Sequence, residues 1–249
     1  MQFLMSVMIW IAGAFITAAI FISSFLIKNA PFPIRGRQKL IHKQCFWWSD
    51  ALIALNPFWK VSVEGLENID HSKTYVIVAN HESLADIIII YQTRMYFKWV
   101  AKEELLKVPL IGGLLRMNDH VMLSRDDLGS IKEAYRKAIE FLRAGTSMLF
   151  FPEGTRSSTD MMGEFKNGAF KLAIKESMPI LPIYIGGTRE AIPKGGFIFK
   201  TKVSGRIVVL PPIETAGFKV ADYARLRDMV RGRLEELKSS RAVAVKDQN

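Results

Sequence analysis

The first 27 residues carry no charged side chain, and from Phe3 to Ile27 the chain is an almost unbroken apolar run of 25 residues. A helix rises about 1.5 Å per residue, so such a run can reach across a hydrocarbon core of roughly 30 Å. Three architectures are open to it: a spanning helix, a signal peptide, or one arm of a two-helix hairpin that enters a single leaflet. The signal peptide fits poorly, because no basic n-region precedes the run, the run is too long, and no small-x-small cleavage site follows cleanly. Residues 28–60 then hold six basic side chains (Lys28, Arg35, Arg37, Lys39, Lys43, Lys60) against one acid, Asp50. This asymmetry suits a segment lying against a bilayer, with the rest of the chain on the cytoplasmic side by the positive-inside tendency.

Within residues 35–59, Arg35, Arg37, Lys39, His42 and Lys43 lead into Phe46, Trp47, Trp48, Leu52, Leu55, Phe58 and Trp59. Cations followed by aromatics suit an interfacial helix with its rings at headgroup depth, and a core helix under a basic surface has the same pattern. The formal charge of +10 implies an anionic partner. An anionic membrane lipid fits the leading apolar run, whereas a nucleic acid leaves that run unexplained and no nucleic-acid motif is present.

The single cysteine, Cys45, excludes a disulfide framework and reads as packing. His42, His71, His81 and His120 lack zinc-type spacing, and no glycine-rich nucleotide or phosphate loop is present, so neither a metal nor a cofactor is expected.

From Val61 onward short β-branched runs alternate with helical patterns. Strands are expected at 61–63, 74–79, 98–101, 120–123, 147–151, 180–185 and 206–210, and helices at 84–92, 110–117, 127–144, 169–177 and 220–237. Alternation of this kind predicts an α/β fold, a mixed sheet covered by helices on both faces, with ligands bound where strands end. The expected division is an N-terminal membrane-attachment segment of one or two helices over 1–59, an α/β domain over 60–240, and a flexible tail over 241–249. The Pro and Gly cluster 192–197 reads as a surface loop.

Two clusters follow apolar strands. The first is Asn80-His81-Glu82-Ser83-Leu84-Ala85-Asp86. If the chain turns between His81 and Asp86, the carboxylate can accept the imidazole Nδ1 hydrogen and leave Nε2 free to take a proton from a hydroxyl. The same residues also fit a helix capping box, with Ser83 at the N-cap and Asp86 reaching back to its amide. The second is Phe151-Pro152-Glu153-Gly154-Thr155-Arg156-Ser157. Gly154 permits a sharp turn, Arg156 offers a planar fork for phosphate, and Glu153 can accept from a hydroxyl or simply pair with Arg156 on the surface.

Together, His81-x4-Asp86 and the later Glu153-Gly154-Thr155-Arg156 resemble the first and third motifs of the glycerolipid acyltransferase family, specifically its 1-acylglycerol-3-phosphate acyltransferases. Lys102-Glu103-Glu104-Leu105, Val108-Pro109-Leu110-Ile111-Gly112, Arg125, Phe165-Lys166-x-Gly168 and Leu181-Pro182-Ile183 extend the resemblance over roughly residues 61–215. The second motif departs from the pattern: Asp119 and Met122 stand where a Gly and an aromatic are usual, while Arg125 remains. This departure bears on the acceptor pocket more than on the reaction, and His120 reads as a strand-edge residue.

The resemblance implies His81 and Asp86 as the catalytic pair. Glu153, Gly154, Thr155, Arg156, Lys102, Arg125 and Lys166 would bind substrate, with backbone amides after Pro152 and near Lys166 as oxyanion donors. It implies an acyl-ACP or acyl-CoA donor and a lysophospholipid acceptor, lysophosphatidate or another lysolipid. It also implies a membrane location, in a bacterium the inner membrane with the catalytic domain cytoplasmic. A non-catalytic protein that binds anionic lipid through its basic flank is the competing class.

Overall fold

A computed structural model describes residues 2–155, 161–189, 191, 198–199 and 202–246, the last six of these in backbone only. Seven helices and seven strands alternate through the described chain: α1 Gln2–Lys28, α2 Arg37–Ala54, β1 Trp59–Glu64, β2 Val76–Ala79, α3 Ala85–Ile89, β3 Phe97–Lys102, α4 Ile111–Met117, β4 Val121–Leu123, α5 Leu128–Arg143, β5 Ser147–Phe150, α6 Gly168–Lys175, β6 Ile180–Gly186, β7 Val203–Val209 and α7 Tyr223–Lys246. All seven expected strands form. The helix expected at 84–92 is split into α3 and a 3-10 turn over Ile90–Thr93. The tail expected from 241 coincides in part with α7, residues 247–249 lie outside the described residues, and so does the loop expected at 192–197.

The strands form one sheet in the order β1-β7-β6-β2-β5-β3-β4. β6 and β7 pair antiparallel and every other neighbouring pair is parallel, which makes the sheet mixed. Every residue of β2 (Val-Ile-Val-Ala) and β6 is buried, as central strands covered on both faces require. Alternation along a strand sends Val76 and Val78 to the face carrying α5, α6 and α7, and Ile77 and Ala79 to the face under α2 and α3. The edge strand β1 is only partly buried. Asp127 caps α5 by accepting from the Gly129 N–H at 2.7 Å, which starts that helix where the sequence pattern predicts it.

α1 packs along α2 and α4 with its polarity reversed relative to a surface helix. Its buried residues are Ser6, Thr17 and Ser24, whereas Phe3, Leu4, Met8, Phe15 and Leu26 face outward, Phe15 being 73% exposed. Small side chains inward let the helix lie close to the domain. Gly113 on α4 is needed for this, since a Cβ there would stand 2.3 Å from the Phe21 ring. Thr17 accepts from Trp48 Nε1 at 3.0 Å and Ser23 donates to Gln44 at 3.0 Å. The outward face is of the kind that hydrocarbon solvates better than water, and among the described residues α1 alone is long and apolar enough to cross a membrane.

Candidate active site

In a mainly parallel sheet the loops after adjacent strands converge at the carboxyl edge. Here the neighbours β6, β2 and β5 end at Gly186, Ala79 and Phe150, so Gly187-Thr188, Asn80-His81 and Phe151-Thr155 form one cluster. Asn80 prolongs the pairing beyond the strand. Its side-chain amide donates to the Ile185 carbonyl (2.7 Å) and its oxygen accepts from the Ile185 N–H (2.8 Å). This anchors the residue before His81 to β6.

Asp86 lies fully buried at the start of α3. Its Oδ2 accepts from His81 Nδ1 (2.8 Å), Glu82 N–H (2.6 Å) and Ser83 N–H (2.9 Å). Its Oδ1 accepts a short hydrogen bond from the Thr188 hydroxyl. The proton-holding and capping readings of this motif are therefore one structure: a single carboxylate oxygen caps the turn and fixes the imidazole. Four donors around a buried carboxylate supply the charge compensation that such burial demands. With its hydrogen on Nδ1, His81 presents Nε2 without a protein partner among the described residues. The ring is stacked on Phe151, with centroids 4.4 Å apart and planes 27° from parallel.

Glu153 is buried and faces neither solvent nor an open site. Oε1 accepts from the His81 main-chain N–H and Oε2 from the Gly163 N–H, each at 2.8 Å. Gly163 is required there, because a Cβ would come within 2.9 Å of Oε2. Gly154 has φ of 72°, in the left-handed region, and lies beneath Lys166, whose Cε stands 3.2 Å from the position of a Cβ on Gly154. The structure thus brings together His81, Asp86, Glu153, Gly154 and Lys166, with the exposed Thr155 next in the loop. Arg156 lies outside the described residues.

Lys102 ends β3, two strands from β2, and its exposed ammonium pairs with Glu104 at 2.7 Å. Arg125 follows β4, a strand further out, half-buried and without a partner among the described residues. Strand spacing puts these two roughly 10 and 15 Å from β2, so neither touches His81. Two expected oxyanion donors are occupied: Gly154 N–H bonds to the Phe151 carbonyl (3.0 Å) and Lys166 N–H to that of Pro152 (2.9 Å). Beside the site, Glu82 pairs with Lys238 of α7 at 3.3 Å, and burial raises its carboxyl above the ordinary range.

Sequence reasoning missed Thr188 and Gly163. Thr188 was visible only as a hydroxyl two residues beyond a strand, and its importance depends on β6 pairing with β2. Gly163 carried no local signal.

A cavity of about 580 Å³ opens between α1, α2, α3 and the segment leading into α4. Its walls are mainly apolar, and Leu84, Ile87 and Ile88 belong to the same turn and helix that carry Asp86.

A histidine held by a buried carboxylate at the carboxyl edge of an α/β sheet is an arrangement that can take a proton from a hydroxyl, and fold alone assigns it no substrate. The comparisons are narrower. The family model described as Acyltransferase matches residues 60–186, and the chain belongs to that family. It is 34% identical over 200 residues to the chloroplastic 1-acyl-sn-glycerol-3-phosphate acyltransferase BAT2 of Brassica napus, covering 79% of this chain and 58% of that one. It is 32% identical to the 1-acyl-sn-glycerol-3-phosphate acyltransferase of Borreliella burgdorferi, over 72% of this chain and 73% of the relative. The chain thus spans little more than half the length of its plastid relative. Among solved structures, that of the 1-acyl-sn-glycerophosphate (LPA) acyltransferase PlsC from Thermotoga maritima superposes with a TM-score of 0.79 at 29% identity, covering 96% of this chain and 98% of that one.

Proposed function

We propose that this protein transfers a fatty acyl group from a thioester, acyl-ACP or acyl-CoA, to the sn-2 hydroxyl of lysophosphatidate, forming phosphatidate. The observation that carries the reading is the His81 imidazole held through Nδ1 by Asp86, with Nε2 unpartnered at the strand ends. Nε2 accepts the hydroxyl proton as the oxygen attacks the thioester carbonyl. The tetrahedral intermediate then expels the thiolate, which takes the proton back from His81, so that no acyl-enzyme forms. The names of the relatives support the acceptor and the family supports the reaction.

Lys166, lying over Gly154, and Arg156 in the same loop are the cations proposed for the acceptor phosphate, with Lys102 and Arg125 further along the carboxyl edge. Glu153 is a positioning residue in this scheme, and Gly154 and Thr155 shape the glycerol site. The apolar cavity beside α3 is proposed to hold an acyl chain. Residues 1–59 are proposed to attach residues 60–240 to one leaflet of the bilayer, with the catalytic domain on the cytoplasmic side. Such an attachment brings the site to the interface where both lipid substrates partition.

The test is transfer of labelled acyl groups from each donor to lysophosphatidate by wild type and His81→Ala. We expect transfer by the wild type and a loss of about 10³-fold or more in the variant. Transfer unaffected by the substitution would refute the role of His81, and no transfer from either donor would refute the acceptor or the reaction.

A further inference from the structure

Three cations of α7 reach the two segments that build the site. Arg227, Arg231 and Lys238 are spaced so that, at about 3.6 residues per turn, they share one stripe of the helix. Arg227 Nη1 donates to the Asn167 side-chain oxygen at 2.8 Å, and Arg231 Nη2 to the Met162 carbonyl at 3.3 Å. Lys238 pairs with Glu82, where only 7% of the Glu82 side chain and 21% of the Lys238 side chain remain exposed. The helix that carries them is itself fixed, since Leu226, Val230 and Leu234 are fully buried and α7 packs on β6 and α6.

Both sets of contacts converge on His81. Met162 precedes Gly163, whose N–H donates to Glu153, and the other oxygen of Glu153 takes the His81 N–H. Glu82 follows His81, and its own N–H donates to Asp86 Oδ2 at 2.6 Å. α7 therefore grips the chain on either side of His81, through Glu153 on one side and Glu82 on the other. Burial and Asp86 oppose the charge on Glu82, whereas the Lys238 ammonium and the Arg189 guanidinium favour it. A buried ion pair is a poor source of stability, because desolvation offsets its attraction. It does give its carboxylate a fixed place, and this carboxylate belongs to the residue between His81 and Ser83. We propose that Lys238 is a positioning residue for the transfer: through Glu82 it fixes the turn that aligns His81 with Asp86, and it touches neither substrate. The proposal rests on the reading above that His81 takes the hydroxyl proton.

The test combines steady-state transfer to lysophosphatidate with a spectroscopic reading of the His81–Asp86 contact, both on the full-length protein in detergent. In Lys238→Met we expect kcat about tenfold lower with KM for the acceptor unchanged, and in Lys238→Arg both restored. Glu82→Met should lose a similar factor. Glu82→Met/Lys238→Met should be no worse than either single variant, because both act through one contact. The double variant also replaces the pair by uncharged side chains of similar length, which guards against a lone buried charge that prevents folding. In protein labelled with ¹⁵N-histidine, the downfield Nδ1–H resonance that disappears in His81→Gln should be sharp in the wild type and Lys238→Arg and broadened away in Lys238→Met. Wild-type kcat in Lys238→Met, additive losses in the double variant, or an unchanged resonance would overturn the proposal. A raised KM with kcat retained would overturn it too, by putting Lys238 on the acceptor phosphate. If the wild type transfers nothing, the reading of the reaction falls, and the resonance alone still decides whether Lys238 holds the turn.

Discussion

The main-chain N–H of His81 donates to Oε1 of Glu153 across 2.8 Å, joining two motifs that lie 72 residues apart in the chain. Oε2 of the same carboxylate takes the Gly163 N–H, so Glu153 holds the His81 backbone and the loop after β5 in one frame. Glu153→Gln keeps one acceptor oxygen but sets an NH₂ against a backbone N–H at the other position. Because a misplacement of about 1 Å at a reacting group costs on the order of 10²-fold, we expect kcat to fall by roughly that factor while KM for the acceptor changes little. Steady-state kinetics in mixed micelles decides this. A rise in KM with kcat retained would mean that Glu153 contacts the glycerol directly.

Thr188 serves Asp86 in the same way from the opposite side. Thr188→Val preserves shape but leaves Asp86 Oδ1 without its hydroxyl donor inside a fully buried site. Loss of a hydrogen bond to a buried charge costs about 1–3 kcal/mol. We therefore expect a thermal unfolding midpoint several degrees lower and kcat reduced about tenfold or more, with Thr188→Ser restoring both. Unchanged kcat in Thr188→Val would show that Asp86 is held adequately by the three donors to its other oxygen.

Much of this arrangement is legible in the sequence because it is local. Strands such as Val76–Ala79 and Ile180–Gly186 announce themselves by unbroken apolar runs, and the turn from Asn80 to Asp86 carries its own capping chemistry. What is not legible depends on strand order. Thr188 matters because β6 neighbours β2, and the inward Ser6, Thr17 and Ser24 show only once α1 has a domain to lie against. Glu153 illustrates the same limit: its surroundings suggest a surface turn with Arg156, but its partners come from distant segments of the chain.

Lys98 lies buried on β3, donating a short hydrogen bond to the Asn118 carbonyl, with the Tyr96 and Phe141 rings and the Asp119 carboxylate nearby. Burial outweighs Asp119 and brings its ammonium down to about 8 from 10.5. Between these values the unfolded chain binds a proton that the folded chain does not, so this residue makes stability rise with pH across that window. The rise is about 1.4 kcal/mol per pH unit, on the order of 2–3 kcal/mol in all. We expect the stability of wild type minus that of Lys98→Met to be constant below pH 8 and to increase by that amount by pH 10.5. Chemical denaturation at matched pH values measures it, and a difference that stays flat throughout would place the ammonium in contact with water.

α1 is tied to the domain at both ends. Ser6 accepts from the Phe199 N–H at 3.0 Å, and Lys28 approaches Asp119 at 3.7 Å. From Ser6 to Lys28 the helix extends about 33 Å, the length of a bilayer-spanning helix, yet Trp48, Gln44 and Gly113 hold it against the same folded body. A helix crossing the membrane would have to put one of these anchor points on the far side, and the α/β domain cannot follow it. The outward phenylalanines and leucines can instead enter a single leaflet with the helix lying along the surface. In a Cys45→Ala background, cysteines introduced at Gln2 and Asn29 should therefore both react with an impermeant maleimide from the face that carries the His81 domain. Reaction of the two from opposite faces would require α1 to undock and span, and would also dismantle the cavity wall that Ile9, Trp10, Gly13 and Ile20 provide.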